Sequence, residues 1–165
     1  MTRKAATFWP VAIALLAGDC TTKELAVAHL TPPYLPHDVL GQVVRFTLAY
    51  NTGAAFSMSL GSASRWGFTL LALIALGALA AVYRSAASED VLQAGAIALI
   101  AGGAIGNLAD RIRSARGVVD FIDIGLGDRR FWTFNVADMG VTFGALLLAY
   151  VLLTESRKAT DESRT

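Results

Sequence analysis

Several aspartates stand beside residue types that could do chemistry. Asp120 lies in Gly117-Val118-Val119-Asp120-Phe121-Ile122-Asp123, where strand alternation puts Val118, Asp120 and Ile122 on one face and Val119, Phe121 and Asp123 on the other. A carboxylate flanked by apolar residues on its own face is desolvated, which raises its pKa and favours the protonated form near neutrality. The competing role is an edge-strand charge that blocks aggregation. Asp138 ends Phe134-Asn135-Val136-Ala137-Asp138, just ahead of an apolar run, where helix capping is the ordinary task of an aspartate. Asp19 and Lys23 stand at i and i+4, so they share a helical face and can pair. Ions inside a bilayer are costly and usually neutralise each other or line a cavity, so a structural brace competes there with a catalytic role. Asn107 and Asp110 share another helical face beside Arg111, next to the small-residue patch Gly102, Gly103 and Gly106 that lets a neighbouring helix approach closely. An interfacial cap and a packed polar site are the two readings of that group.

The chemistry this set supports is carboxylate chemistry. Two aspartates sharing one proton can activate water with one carboxylate and protonate a leaving amine with the other, because proximity splits their macroscopic pKa values. The reaction needs no cofactor. The residues alone leave the pair open among Asp110, Asp120, Asp123, Asp128 and Asp138. Cys20 lacks the paired histidine of a thiol nucleophile, and no Ser–His or Ser–Lys arrangement stands out. His29 and His37, the only histidines, have no partners at metal-ligand spacing, so no metal site is assigned. Gly125-Leu126-Gly127-Asp128 matches the Gly-x-Gly-Asp string of one class of intramembrane aspartyl protease. Here it falls between strand-like segments Val118–Ile124 and Phe131–Val136, which predicts a hairpin turn instead.

The elements that must position these residues are set by composition. Of 165 residues, 55% are hydrophobic and 16% charged, against about 25% charged in ordinary soluble domains. That excess exceeds what one soluble core of this size can bury, and it marks an integral membrane protein. A net charge of +1 gives no case for nucleic acid, and a single cysteine excludes an intrachain disulfide framework. Trp66–Tyr83, Val91–Ala109 and Met139–Thr154 are uncharged over lengths close to a bilayer crossing. The N-terminal run Ala5–Gly18 has the length of a signal-peptide core, and Leu16-Ala17-Gly18-Asp19-Cys20 resembles a lipoprotein cleavage box, except that Asp19 sits where a small residue belongs. Three further spans favour a fourth span extending to Leu30.

The fold class expected is therefore an all-α membrane protein with a small β element. A single domain holds helices at about 8–30, 66–84, 91–111 and 136–154, and loops 31–65 and 112–135. Up-down-up-down connection gathers Asp19, Lys23, Asn51, Asn107, Asp110, Arg111, Asp120, Asn135 and Asp138 on one side of the membrane. Lysine and arginine are split almost evenly between the two sides, so the positive-inside rule gives no orientation. Gln42–Tyr50 reads as a strand with Asn51-Thr52-Gly53 as the turn after it, and a small sheet against the membrane surface follows.

Five blocks in order resemble the bacterial lipoprotein signal peptidases (signal peptidase II). They are Asp19-Cys20-Thr21-Thr22-Lys23, Asn51-Thr52-Gly53-Ala54-Ala55-Phe56-Ser57, Gly102-Gly103-Ala104-Ile105-Gly106-Asn107-Leu108-Ala109-Asp110-Arg111, Val118-Val119-Asp120-Phe121 and Phe134-Asn135-Val136-Ala137-Asp138. The resemblance implies a four-helix inner-membrane protease with cytoplasmic termini. Its site would face the periplasmic leaflet under a β-cradle and cut prolipoproteins before the lipid-modified cysteine. It also implies Asp120 and Asp138 as the catalytic pair. Asp19, Lys23, Asn51, Gly53, Asn107, Asp110, Arg111, Asn135 and Ala137 would shape the site or meet substrate. The implied partners are diacylated prolipoproteins, membrane lipid and globomycin-type inhibitors, with a monomer expected and no cofactor. Cys20 and Met139 depart from the glutamine and serine usual in the family; neither removes a dyad carboxylate. A diacylglyceryl-cysteine is held in the bilayer by about 0.8 kcal/mol per buried CH₂, so its protease must meet the scissile bond at the lipid surface. A proton-coupled carrier and a non-catalytic membrane assembly subunit are the alternatives, and cleavage of a diacylated prolipoprotein separates them.

Overall fold

The uncharged runs of the sequence become helices. A computed structural model of the chain describes residues 1–53 and 64–162 and contains α1 (Arg3–His29), α2 (Ser64–Ser85), α3 (Val91–Arg113) and α4 (Val136–Glu162). Three of these, α2, α3 and α4, are long and apolar enough to cross a membrane. The second half of α1 carries Asp19, Lys23 and Glu24, and α1 is not among those three. The intervening segments supply β1 (His37–Leu40), β2 (Val44–Asn51), β3 (Val118–Leu126) and β4 (Arg129–Arg130), which form one antiparallel sheet in that order. The molecule is thus mostly helical with a small sheet. The Ala54–Ser57 part of the second sequence block lies outside the described residues.

Helix ends explain where the bounds depart from expectation. α1 begins at Arg3 rather than near residue 8 and runs through Pro10. Thr2 Oγ1 accepts from the Ala5 amide, and the Lys4 amide donates to Ser88 O at 2.9 Å. Lys4 Nζ also donates to Tyr83 O (3.1 Å) and Ala86 O (2.6 Å), satisfying carbonyls left over at the end of α2. At the opposite end of the bundle Arg65, in the first turn of α2, donates from Nε to Arg111 O and from Nη2 to Ile112 O, capping α3. α4 continues past residue 154 to Glu162.

Close helix packing is set by glycine. A Cβ on Gly102 would press against Ala12 O and Leu15 of α1, one on Gly103 against Ala137 O and Val141 of α4, and one on Gly106 against Asp19 Oδ2. Three neighbouring residue positions of α3 thereby bring α1 and α4 to backbone distance. α2 packs mainly on α3, touches α1 near its end where the Phe8 and Tyr83 rings lie 4.7 Å apart, and leaves Leu70, Leu71, Leu73 and Ile74 more than half exposed.

The sheet departs from expectation in two places. β1 is additional, joined to β2 through a turn in which Gly41 has φ +52°. Phe131–Val136 is not a continuous strand: β4 is Arg129–Arg130, and only Phe134 bridges back, to Ile122. The reason is that Asn135 is claimed by the start of α4, described below. The turn between β3 and β4 at Gly127 (φ +55°) is a hairpin, as the place of Gly125-Leu126-Gly127-Asp128 after a strand-like segment predicts. Asp120, paired opposite Ala49, sits inside the sheet with Phe134 bridging β3 on its other side, so it is not an edge-strand charge.

Replacing Gly103 with alanine should destabilise the bundle by about 1–3 kcal/mol, the usual cost of overpacking. Gly77→Ala in α2, where a Cβ meets nothing within 4 Å, should be neutral or stabilising, since alanine favours a helix. Thermal unfolding of the two variants in detergent reads the difference in sign.

Candidate active site

The start of α4 is built by a reciprocal pair of side chains. The Asp138 amide donates to Asn135 Oδ1 (2.9 Å), and the Asn135 amide donates to Asp138 Oδ2 (3.1 Å). This is a capping box with asparagine at the cap and aspartate three residues on. The next free amide, Ala137 N, donates to Asp19 Oδ1 of α1 at 2.9 Å. Helix capping and a place in the polar site are therefore the same geometry for Asp138.

Asn135, fully buried, carries the link to the sheet. Its Nδ2 donates to Asp120 Oδ1 (2.6 Å) and is shared with Asn107 Oδ1 (3.1 Å) and Val119 O (3.3 Å). The second oxygen of Asp120 accepts from Asn51 Nδ2 (3.1 Å), whose own Oδ1 is held by the Gly53 amide (3.0 Å). Gly117, at φ +91°, lets β3 enter the sheet against Asn51 O, which a side chain there would strike. Asp120 is 3% exposed. Burial, then the negative charge of Asp138, pushes its pKa up to about 7, against the smaller opposing pull of the Asn51 and Asn135 amides.

Behind this pair lies a buried ammonium. Lys23 Nζ meets Asp19 Oδ2 (2.8 Å), Asp110 Oδ2 (2.9 Å) and Asn107 Oδ1 (2.9 Å). With its oxygen so occupied, Asn107 turns Nδ2 onto Asp138 Oδ1 at 2.7 Å. Asp110 Oδ2 also receives the Val119 amide of β3 (3.2 Å). Arg111 donates from Nη1 to Asn107 O (3.2 Å) and stands over the Phe68 ring, 6.0 Å from its centroid.

Asn51, Gly53, Asn107, Arg111, Asp120 and Asp138 line one cavity of about 580 Å³. Asp120 and Asp138 are the two carboxylates, among the described residues, that reach it. The other candidates are engaged elsewhere: Asp110 with Lys23, and Asp123 with Arg130 and Thr47. Asp128 is at the exposed hairpin turn. Cys20 lies half-buried in a separate cavity beside Glu24 and Arg113, and Met139 lines the main one. Sequence reasoning missed the apolar side of the cavity, formed by Ile124, Phe131, Trp132, Phe134, Val141 and Phe143. The aromatic density of Phe131-Trp132-Thr133-Phe134 was the available signal, and it reads equally as a strand.

The raised pKa of Asp120 couples to stability. The fold favours the protonated carboxyl, so this contribution is complete below the unfolded value of 3.8 and is lost as pH rises through about 7. The melting temperature should fall between pH 5 and pH 8, and Asp120→Asn should flatten that fall. Equal slopes for the two proteins in a pH series of thermal melts would refute the assignment.

Residues 11–154 match the sequence family described as signal peptidase (SPase) II. The lipoprotein signal peptidase of Hydrogenovibrio crunogenus is 41% identical over 148 residues, covering 86% of this chain and 81% of the relative. That of Coxiella burnetii is 38% identical over 167 residues, covering 96% and 99%. Two bacterial membrane enzymes solved by the in meso method, at 2.3 Å and 1.9 Å resolution, are similar in fold. The first has a TM-score of 0.81 and 29% identity, covering 92% of this chain and 90% of that one. The second has a TM-score of 0.77 and 30% identity, covering 90% and 93%. With three membrane-length apolar helices, the chain is a membrane-embedded bacterial enzyme and belongs to the signal peptidase II family.

Proposed function

We propose that this chain is an aspartyl endopeptidase that removes signal peptides from diacylglyceryl-modified prolipoproteins, cleaving on the N-terminal side of the lipidated cysteine. One observation carries the reading: Asp120 and Asp138 open onto one cavity, and the same asparagine, Asn135, bonds to both. Asp120, with its pKa raised to about 7, holds the proton. Asp138 accepts from the Asn107 side chain and the Asn135 amide, which leaves it the acceptor's role towards water. Asp138 takes a proton from water while the water oxygen bonds to the scissile carbonyl carbon. The proton on Asp120 ends on the leaving nitrogen as the C–N bond breaks. Asp19, Lys23, Asn107, Asp110 and Asn135 position the pair. Asn51, Gly53, Arg111 and Ala137 complete the walls and the helix start against which substrate lies.

In this reading α1 is the fourth span of a single membrane domain. The helices alternate in direction, because Lys4 at the start of α1 reaches the end of α2 while Arg65 at the start of α2 reaches the end of α3. The sheet end then faces the periplasmic leaflet of the inner membrane, and both termini are cytoplasmic. The enzyme acts as a monomer and is blocked by globomycin-type cyclic peptides. Its cavity joins a polar floor to an apolar side, which matches a peptide bond presented at the lipid surface by an anchor that cannot leave it.

The test is cleavage of a diacylated prolipoprotein by the purified, membrane-reconstituted chain. Asp120→Asn and Asp138→Asn should each lower turnover at least about 100-fold while leaving the inserted protein folded. Turnover near wild type in either variant rejects the dyad, and no cleavage by wild type rejects the function. The rate should fall above about pH 7 as Asp120 loses its proton.

A further inference from the structure

Between β4 and α4 the chain leaves the sheet as Phe131-Trp132-Thr133-Phe134, and all four residues line the cavity that holds the two aspartates. This strap is pinned at both ends. The Phe131 amide donates to Ile124 O (2.8 Å) and the Phe134 amide to Ile122 O (3.0 Å), while Phe134 O accepts from the amides of Phe121 (3.0 Å) and Ile122 (2.8 Å). Its rings are packed on one another: Phe131 and Trp132 centroids are 3.9 Å apart, and Phe134 meets Phe131 edge-on at 6.0 Å. Phe131 and Trp132 nonetheless stay 49% and 44% exposed, so an apolar group entering the cavity has aromatic surface to cover.

Arg130 fixes the strap at its root. Its Nε and Nη2 fork onto Asp123 Oδ1 (2.9 and 2.8 Å), Nη2 also donates to Asp123 O (3.1 Å), and Nη1 reaches Gln42 O in the β1–β2 turn (2.6 Å). Thr47 Oγ1 holds the other oxygen of Asp123 at 3.2 Å. One planar guanidinium thus joins β3, β4 and the β1–β2 hairpin, a task that the fork geometry of arginine suits and a lysine does not. A wall held this firmly has a fixed width, and a fixed apolar wall discriminates by size.

Resting on the function proposed above, we infer that the Phe131–Phe134 strap is the specificity wall of this peptidase. Its rings bound the space beside the residue that precedes the lipidated cysteine, where a cleavage box has a small residue, and Arg130 is the positioning residue that sets the wall's distance from the aspartates. The experiment uses the full chain in bicelles with diacylated prolipoproteins that differ only in that residue, from alanine through leucine to phenylalanine. Trp132→Ala should move the ratio of kcat/KM between small and large residues toward the large ones by at least about tenfold, the scale of one or more methylenes in an apolar pocket. Phe131→Leu, a milder change, should move it the same way and guards against loss of fold in the first variant. Arg130→Gln should raise KM and narrow the ratio, Arg130→Lys should restore it only in part, and the pH dependence of kcat should not move in any of them. Cleavage by wild type with the ratio unaltered in folded Trp132→Ala and Phe131→Leu overturns the wall alone. Failure of wild type to cleave any member overturns the wall together with the function it rests on.

Discussion

Lys23 donates from one buried ammonium to acceptors on two helices, and the surrounding arrangement follows from how its charge is met. Asp19 of α1 and Asp110 of α3 supply two carboxylates to one cation. An unpaired negative charge in such surroundings is strongly unfavourable. The surplus is answered by backbone: the Ala137 amide at the start of α4 binds Asp19, and the Val119 amide of β3 binds Asp110. A helix N-terminus is a natural place for an anion, so neutralising the ion cluster and fixing the start of α4 are one event. The glycine at position 106 is what lets Asp19 reach it.

From that anchor the two aspartates are placed by different means. Asp138 is carried on the first turn of a helix and oriented by Asn107, whose oxygen Lys23 already occupies. Asp120 is carried on an inner strand and held by the amides of Asn51 and Asn135. A helix and a sheet that meet end to end must agree to within a hydrogen-bond length, and Asn135 is the joint. Its oxygen and backbone amide serve the helix while its side-chain nitrogen serves the strand. Buried polar networks of this kind hold their shape only when every member is satisfied.

Much of this was legible in the residues because bilayer-length apolar runs and strand alternation are local signals. The helices, the strands around Tyr50 and Asp120, and the hairpin at Gly127 follow from short windows of sequence. The i, i+4 spacing of Asp19 and Lys23 announced their pairing. What the chain does not announce locally is which distant group each polar atom meets. Asp110 and Asp120 are both carboxylates near the end of an apolar segment, yet one meets an ammonium and the other two amides. The break of Phe131–Val136 into β4 and a strap was hidden for a related reason: its aromatic content favours a strand, but Asn135 and Asp138 commit the chain to a helix cap, a choice made by two side chains acting together. β1 was hidden because it is short and largely exposed, with its pairing supplied by β2.

The joint at Asn135 also bears on how such an enzyme could escape an inhibitor. An antagonist that engages the two carboxylates touches residues whose positions are fixed by a side chain sealed beneath them. Shifting either carboxylate would strain the Asn135 bonds shared by the first turn of α4 and the strand, so under the dyad proposed above that route to resistance lowers activity as well. A changed residue in the aromatic and aliphatic lining alters contacts without breaking that joint. A compound that leans on the acidic floor and takes little from that lining would leave the fewest evolutionary exits.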